Sequence, residues 1–285
     1  MTNPWLERRV LNFAHQGGAR EAPSSTLLAM RRAVAGGADV LELDVHATSD
    51  GELVVCHDPT VDRTTDGRGA IASLTLAELR ELDNGYWWVP GEVVAPGRPD
   101  GAYVARGRAP ADPALGVATL REVLEEFPGV LLNLDIKQTA PVVSPYEASL
   151  AALLREHGRR DDVIVASFND AATDAFSAVA PEIPTSAGTL AIASFLQAVQ
   201  AGTDPPASRH VALQVPPSYL SITIVDERTV SAAHRHGLAV HVWTVDEPEE
   251  MDRLVDLGVD GIMSDRPSVL GEVLRRRGLV WSPGR

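Results

Sequence analysis

The chain contains 285 residues with a mass of 30.4 kDa, a length that fits either two average domains or one α/β barrel of about 250 residues. With 45% apolar and 22% charged residues, it is neither disordered nor fibrous. The 39 acidic residues outnumber the 25 basic residues, and the resulting net charge of −14 argues against nucleic acids and anionic membranes as partners.

The sequence carries few signals for a cellular compartment. It has no apolar run of about 18 residues that could span a membrane, and residues 1–9 lack the apolar core of a signal peptide. Its single cysteine, Cys56, excludes an intrachain disulfide. We therefore expect a cytoplasmic protein without a transmembrane segment.

Short apolar runs alternate along the chain with longer segments of helical periodicity. Eight such pairs predict eight parallel strands inside a ring of helices, which is a (β/α)8 TIM barrel of the α/β class. The predicted strands cover residues 10–14, 40–45, 130–136, 163–166, 183–186, 210–215, 238–243 and 259–263. The predicted helices cover residues 25–35, 119–127, 146–157, 170–178, 191–201, 226–236, 247–257 and 269–276.

The spacing is uneven between the second and third predicted strands. About 85 residues separate them, where a βα unit needs roughly half that number. A hairpin turn at Ser49-Asp50-Gly51 starts this excursion, and many prolines and glycines follow. We predict one TIM-barrel domain over residues 1–285, with a loop-rich insertion at about residues 58–117 that lies over the active-site face.

Charged residues alternate with apolar residues along the second and third predicted strands. Period-two geometry places Glu42, Asp44 and His46 on one face of the second strand, and Asp135 and Lys137 on one face of the third. The apolar faces pack on the helices, so the charged faces point into the barrel. Carboxylates about 7 Å apart need a cation between them, and their oxygens suit Mg²⁺ or Ca²⁺.

Lys137 offers an alternative explanation for these acids. It is the only lysine among 25 basic residues, which marks a position that requires an ammonium group. An internal ion-pair network around Lys137 is therefore possible, although one lysine cannot neutralise three carboxylates.

Two histidines stand at predicted strand ends. His15 ends the first strand and precedes Gly17 and Gly18, whose conformational freedom allows a ligand to approach the backbone closely. His57 ends the extra strand that follows the hairpin turn. Imidazoles titrate near neutral pH, so two of them beside a hard cation indicate general acid–base catalysis of phosphoryl chemistry.

With these residues in place, the sequence resembles the glycerophosphodiester phosphodiesterase family. The resemblance extends over nearly the whole chain in family order. It is carried by His15-Gln-Gly-Gly, Ala22-Pro-Ser-Ser-Thr26, Gly37-Ala-Asp-Val-Leu-Glu-Leu-Asp-Val45, Thr48-Ser-Asp-Gly51, Val54-Val-Cys-His-Asp58, Arg63-Thr-Thr65, Leu132-Asn-Leu-Asp-Ile-Lys137, Ala166-Ser-Phe168, Val242-Trp-Thr-Val245 and Gly258-Val-Asp-Gly-Ile-Met-Ser-Asp265.

The resemblance implies a phosphodiesterase-type TIM barrel with a small insertion after strand two. It also implies that Glu42, Asp44 and Asp135 are the metal ligands and that His15 and His57 are the acid–base pair. The implied reaction is metal-dependent hydrolysis of a glycerophosphodiester to glycerol 3-phosphate and an alcohol.

This chain departs from the family pattern in residues that would contact phosphate. Gln16 replaces the usual arginine and can donate only an amide hydrogen bond. Ser24-Ser25 replaces the usual Glu-Asn, and Asp135 is one methylene shorter than the usual glutamate. Arg20 is a candidate for the missing positive charge, although an arginine exposed to solvent is the alternative.

Other residues have two interpretations each. Trp243 either forms an apolar wall for the substrate or fills the barrel, and Tyr86-Trp87-Trp88 either lines a slot for a lipid chain or anchors the insertion. Ser167 and Asp265 are interpreted as helix N-caps. His46 shares the face of the acids but lies nearer the barrel mouth.

Three alternative functions remain from the sequence. A lysophospholipase D-like enzyme would use the same chemistry on a lysophospholipid, a Schiff-base lyase would use Lys137, and a non-catalytic barrel would bind phosphate alone. The expected ligand is a small molecule in each case. The sequence leaves open the metal, the alcohol and the oligomeric state.

Overall fold

The computed structural model describes residues 3–7, 10–137, 139 and 142–280. Within them the strands are β1 (Leu11–His15), β2 (Val40–Ala47), β3 (Leu53–Val55), β4 (Leu131–Ile136), β5 (Val163–Ala166), β6 (Ala212–Val215), β7 (Ser218–Tyr219), β8 (Ile222–Thr223), β9 (Ala239–Val242) and β10 (Gly261–Ser264). The α-helices are α1 (Pro4–Glu7), α2 (Leu27–Ala35), α3 (Leu76–Arg80), α4 (Leu120–Glu126), α5 (Glu147–Glu156), α6 (Asp170–Val179), α7 (Thr189–Ala201), α8 (Glu227–Arg235), α9 (Pro248–Leu257) and α10 (Pro267–Arg276).

Parallel pairing joins the strands in the order β5-β4-β2-β1-β10-β9-β6. Residues 185–186 close this sheet, because Thr185 pairs with Val165 of β5 and Ser186 pairs with Ala212 of β6. The predicted strand at 183–186 is therefore present only as two isolated β-bridges. Pro184 has no N–H to donate, although its carbonyl accepts a hydrogen bond from the Val165 N–H at 3.0 Å. The prediction of a TIM barrel with eight strand positions is confirmed.

The alternation along the strands separates two environments, as predicted. Leu41, Leu43 and Val45 of β2 face outward into an apolar core shared with the surrounding helices. The inner face is apolar only at the amino end of the barrel, where Phe13 and neighbouring side chains pack around the fully buried Trp5 of α1. Polar and charged residues therefore occupy the interior toward the carboxyl end.

The insertion begins with β3, which pairs antiparallel with β2 after the turn at Gly51. Residues 58–117 then contain α3 and three short 3₁₀ helices around a small apolar core of their own. The Trp88 indole N–H donates to the Ala19 carbonyl at 2.9 Å. This bond ties the insertion to the loop after β1, at the mouth of the barrel. In the described part of the chain, no helix has both the length and the apolar character to cross a membrane.

Candidate active site

His15 lies at the carboxyl end of β1, where Asp265 fixes its ring. Nδ1 donates to Asp265 Oδ1 at 2.6 Å, while Nε2 lies 3.9 Å from Glu42 Oε2. Burial lowers the pKa of His15, but the charges of Glu42 and Asp265 and the hydrogen bond outweigh this and raise the pKa to about 9. The predicted capping role of Asp265 is wrong, because Arg266 is the N-cap residue of α10.

His57 has a similar carboxylate partner on the facing side of the site. Its Nδ1 donates to Asp58 Oδ1 at 2.7 Å, and Arg63 Nη2 donates to the same oxygen at 2.9 Å. Burial opposes ionisation of Asp58, but the bonds from His57 and Arg63 hold its pKa well below the usual range. The rings of His15 and His57 lie 6.4 Å apart at 75°. Each imidazole thus has its Nδ1 engaged by a carboxylate.

The three predicted acids lie side by side on adjacent strands. Register pairing places Glu42 beside His15 and places Asp44 directly beside Asp135. All three carboxylates are buried, and Lys137 Nζ lies 3.1 Å from Asp44 Oδ1 and 3.4 Å from Asp135 Oδ2. Burial opposes the ammonium charge, but these two acids outweigh it and raise the pKa of Lys137. Lys137 is thus an ammonium ion within the carboxylate cluster.

Burial disfavours the charged form of two acids in this cluster, and two of the carboxyl oxygens have no hydrogen-bond partner in the described part of the chain. Burial, reinforced by repulsion from Asp44, raises the pKa of Glu42, and burial also raises the pKa of Asp135. Asp44 Oδ2 and Asp135 Oδ1 are buried without a hydrogen-bond partner. If all three acids are ionised, three carboxylates and one ammonium would carry a charge of −2, which a divalent cation would balance. Among the described residues, however, no three histidine, cysteine or acidic side chains are arranged closely enough to hold a metal ion without side-chain rearrangement.

The loop after β1 supplies Gln16 at the edge of this cluster. Its backbone N–H donates to Glu42 Oε2 at 3.1 Å, and its buried side-chain Oε1 has no hydrogen-bond partner. Gly17 and Gly18 have positive φ values of 80° and 92°, a backbone conformation that favours glycine. An added Cβ at either glycine would meet Ala29 or Pro267 rather than open space, so these glycines also allow the loop to pack on α2 and α10.

Arg20 is engaged elsewhere. Its Nε lies 3.2 Å from Asp246 Oδ2, and Asp246 also accepts bonds from Ser264 and from the Asp265 N–H. Arg20 therefore supports the acid that holds the backbone of Asp265. A role of Arg20 in phosphate binding stays a prediction.

Trp243 lies at the carboxyl end of β9 and contacts a residue that the sequence interpretation did not single out. The ring of the exposed Phe168 meets Trp243 edge to face at 5.5 Å, and Lys137 Nζ lies 5.7 Å from the same ring. The adjacent Ser167 donates to the Ile136 carbonyl and is not an N-cap, because Asn169 caps α6. That prediction is wrong. Phe168 belongs to the Ala166-Ser-Phe168 motif. Its position just after a predicted strand, where active-site residues of a barrel lie, could have identified it as a candidate.

The aromatic cluster of the insertion divides into two parts. Trp88 anchors the insertion, whereas Tyr86, Trp87 and Tyr103 surround the Arg106 guanidinium at 3.7 to 5.1 Å. These faces are occupied within the insertion itself. His46 contacts the backbone, since its Nε2 lies 3.4 Å from the His57 carbonyl oxygen.

The match to known proteins covers almost the same residues as the barrel. Residues 15–269 match the Glycerophosphoryl diester phosphodiesterase family. The chain belongs to this family. It is 33% identical over 275 residues to a glycerophosphodiester phosphodiesterase of Caldanaerobacter subterraneus, covering 95% of this chain and all of that protein. It is 31% identical to one from Bacillus subtilis, covering 93% of this chain and 86% of that protein.

Solved structures share the fold. The glycerophosphoryl diester phosphodiesterase domain of a Mycobacterium tuberculosis protein superposes with a TM-score of 0.74 at 22% identity, covering 94% of this chain and 99% of that chain. An Oleispira antarctica phosphodiesterase in complex with the product sn-glycerol-3-phosphate superposes with a TM-score of 0.70 at 24% identity, covering 95% and 99%. Family membership identifies the chain as a phosphodiesterase, so the interpretations as a lyase and as a non-catalytic barrel are set aside.

Proposed function

We propose that this chain hydrolyses glycerophosphodiesters to glycerol 3-phosphate and an alcohol, and that it does so in the cytoplasm as the sequence led us to expect. The observation that carries the proposal is the pair of imidazoles beside a buried carboxylate cluster. Phosphodiester hydrolysis needs one group that removes a proton from the nucleophile and another that protonates the departing alkoxide. His15, at the end of β1, and His57, two residues after β3, would supply these two groups.

His15 and His57 take these two roles. Asp265 and Asp58 each accept a hydrogen bond from Nδ1 of their histidine, which leaves Nε2 of each ring for proton transfer with the substrate. A phosphodiester between them would have one imidazole on the side of the nucleophile and the other on the side of the leaving oxygen. Asp58 and Asp265 act as positioning residues, because their bonds fix the tautomer and orientation of the rings.

Glu42, Asp44 and Asp135 would hold a divalent cation, Mg²⁺ or Ca²⁺, since both prefer carboxylate oxygens. The buried Asp44 and Asp135 oxygens without partners support this assignment. Such a cation polarises phosphorus and offsets charge on the phosphate oxygens.

Lys137 and Gln16 would bind the phosphate oxygens. Lys137 donates from an ammonium group already positioned in the cluster, and Gln16 can turn its buried amide toward an anion. Trp243 and Phe168 form an aromatic wall next to Lys137 for the glycerol or the alcohol. Arg20, held by Asp246, is proposed as a more distant source of positive charge.

Product analysis tests the reaction. The purified protein with Mg²⁺ or Ca²⁺ is incubated with glycerophosphocholine, and glycerol 3-phosphate is measured with and without EDTA. We expect product formation that EDTA abolishes and that Glu42→Ala lacks. Turnover that persists equally in the Glu42→Ala control would contradict the assignment of the site.

A lysophospholipid substrate separates the proposed reaction from its lipid variant. The Arg106 guanidinium lies against the rings of Tyr86, Trp87 and Tyr103, so an acyl chain would have to compete with Arg106 for these ring faces. We therefore expect glycerophosphocholine to be hydrolysed more efficiently than lysophosphatidylcholine. Faster release of choline from the lysophospholipid would favour the lysophospholipase D-like function instead.

A further inference from the structure

Exposed apolar side chains are unevenly distributed over the described residues. Nine large apolar side chains are exposed there, and seven of them lie on connections at the carboxyl end of the barrel, on the same side as His15 and His57. These seven are Val104, Val142, Phe168, Leu190, Tyr219, Leu220 and Ile222. The other two are Val179 and Val280. Clustered exposure of this kind marks a contact surface, whereas scattered apolar residues need no explanation.

Five of the seven belong to one sector, which we call the apolar rim: Phe168, Leu190, Tyr219, Leu220 and Ile222. Residues 183–203 and 216–225 contain no aspartate, glutamate, lysine or arginine, in a chain that is 22% charged. Helix α7 lies in the first segment, and Phe195 is its only buried residue. The two segments that carry Leu190 and the hairpin are therefore uncharged, and the charged groups next to the rim are Lys137 beside Phe168 and the Asp170 carboxylate, which is bonded to the Leu190 N–H.

Contacts connect the rim to the active site. Phe168 lies beside Lys137 and Trp243, and its carbonyl accepts from the Thr189 hydroxyl at 2.8 Å, which places Leu190 next to it. Farther along, residues of α7 and of the segment after β6 line one small cavity, which Leu196, Val199, Thr223 and Ile224 share with Gln200, Asp226, Arg228 and Thr229. The rim thus extends from the aromatic wall of the site to the β7–β8 hairpin.

The local backbone structure at the tip of the β7–β8 hairpin does not explain why apolar residues occupy it. Tyr219 pairs with Ile222, and the two residues between them, Leu220 and Ser221, have φ values of 46° and 65°. Such a turn favours asparagine and glycine. A leucine there is disfavoured by the backbone and is 79% exposed, so it gains nothing from burial within this chain.

We propose that the apolar rim docks the protein on a zwitterionic lipid surface, with the active-site mouth facing the lipid. Apolar tips that protrude from a hairpin and from helix ends insert into a deformable interface. The net charge of −14 and the lack of basic residues in the two segments exclude attraction to anionic headgroups. A second copy of the chain is the competing occupant of the rim, and the oligomeric state measured below distinguishes it from lipid.

Vesicle sedimentation tests the proposal on the full chain without substrate. Wild-type protein is mixed with phosphatidylcholine vesicles and with vesicles that also contain phosphatidylserine. We expect binding to phosphatidylcholine that weakens when phosphatidylserine is added. Leu220→Asp and Ile222→Asp should each weaken binding roughly tenfold, because a charge replaces an inserted apolar side chain.

Val179→Asp is the matched control, because Val179 is 41% exposed at the end of α6 nearest the opposite face of the barrel. It should bind like the wild type, and all three variants should hydrolyse soluble glycerophosphocholine at the wild-type rate. No binding by the wild type, or equal loss in Val179→Asp, overturns the proposal. A wild-type dimer that Leu220→Asp converts to a monomer also overturns it, since a second copy would then cover the rim. Binding is measured without turnover, so failure here and failure of the proposed hydrolysis are distinguishable.

Discussion

Asp39 and Asp260, at the amino end of the barrel, accept hydrogen bonds from backbone N–H groups, whereas the carboxylates of Asp44 and Asp135, at the carboxyl end, accept none from the described residues. Before β2, Asp39 accepts from the Asn12 N–H, and before β10, Asp260 accepts from the Val240 N–H and from His234, each at 2.8 Å. At the other end, Asp44 and Asp135 keep buried oxygens without a partner.

This difference separates acids that stabilise the fold from acids that are buried at a cost in stability. A carboxylate that accepts a backbone N–H joins two strands and stabilises the barrel. A buried carboxylate without such a donor destabilises the chain and persists where function requires it. Removing a backbone acceptor at the amino end should therefore cost stability, whereas removing a carboxylate at the carboxyl end should cost activity.

The largest expected effect is on activity at the carboxyl end. Glu42→Gln keeps the acceptor for the Gln16 N–H but removes a proposed ligand charge, so we expect kcat/KM to fall by at least roughly 10³-fold. The melting temperature should stay equal or rise, because a buried charge beside Asp44 is removed. Steady-state kinetics and thermal unfolding measure both. A loss of stability with near-normal activity would reverse the proposed role of the carboxyl end.

Removal of either imidazole should have the next largest effect. His15→Ala and His57→Ala should each lower kcat by roughly 10²- to 10⁴-fold, since each removes one proton-transfer group. His157 follows α5 at the amino end of the barrel, and His157→Ala serves as the matched control. Wild-type kcat in either single site variant would rule out the two-histidine scheme.

At the amino end, Asp260→Ala should act on stability alone. It removes the acceptor of the Val240 N–H and of His234, which should lower the free energy of unfolding by about 2–3 kcal/mol. Denaturant unfolding measures this loss, and kcat of the folded variant should equal that of the wild type. A large decrease in kcat at unchanged stability would contradict the assignment of a purely structural role to acids at the amino end of the barrel.

The smallest expected effect is a pH dependence at Asp39. Burial outweighs the bond from the Asn12 N–H and raises the pKa of Asp39 to about 7, from an ordinary value of 3.8. The folded state thus keeps a proton that the unfolded chain releases, so wild-type stability should fall as pH rises from about 4 to about 7.

The Asp39→Asn side chain does not titrate. Its free energy of unfolding should therefore rise relative to that of the wild type by about 1–2 kcal/mol as the pH increases from about 4 to about 7. Unfolding curves at several pH values measure the difference. The exposed Asp161 lies at the same end of the barrel, and Asp161→Asn should show no such trend. A difference that grows instead above pH 7 would place the titration on another group.

Local sequence pattern determined the barrel and the charged interior. The apolar runs predicted the strands because alternation with period two is a property of the extended chain itself. For the same reason, Glu42, Asp44, Asp135 and Lys137 could be assigned to the inner face before any tertiary contact was known. The weakest predicted strand was 183–186, where Pro184 limits pairing.

Only the tertiary structure decided which partner each side chain receives. The contact between His15 and Asp265 joins residues 250 positions apart, and it exists because β10 closes the barrel beside β1. In the same way, folding paired Arg20 with Asp246, placed Arg106 among the aromatic rings of the insertion, and exposed the apolar rim. Sequence periodicity sets the face that a residue occupies, whereas its partner depends on barrel closure, which brings distant strand ends together.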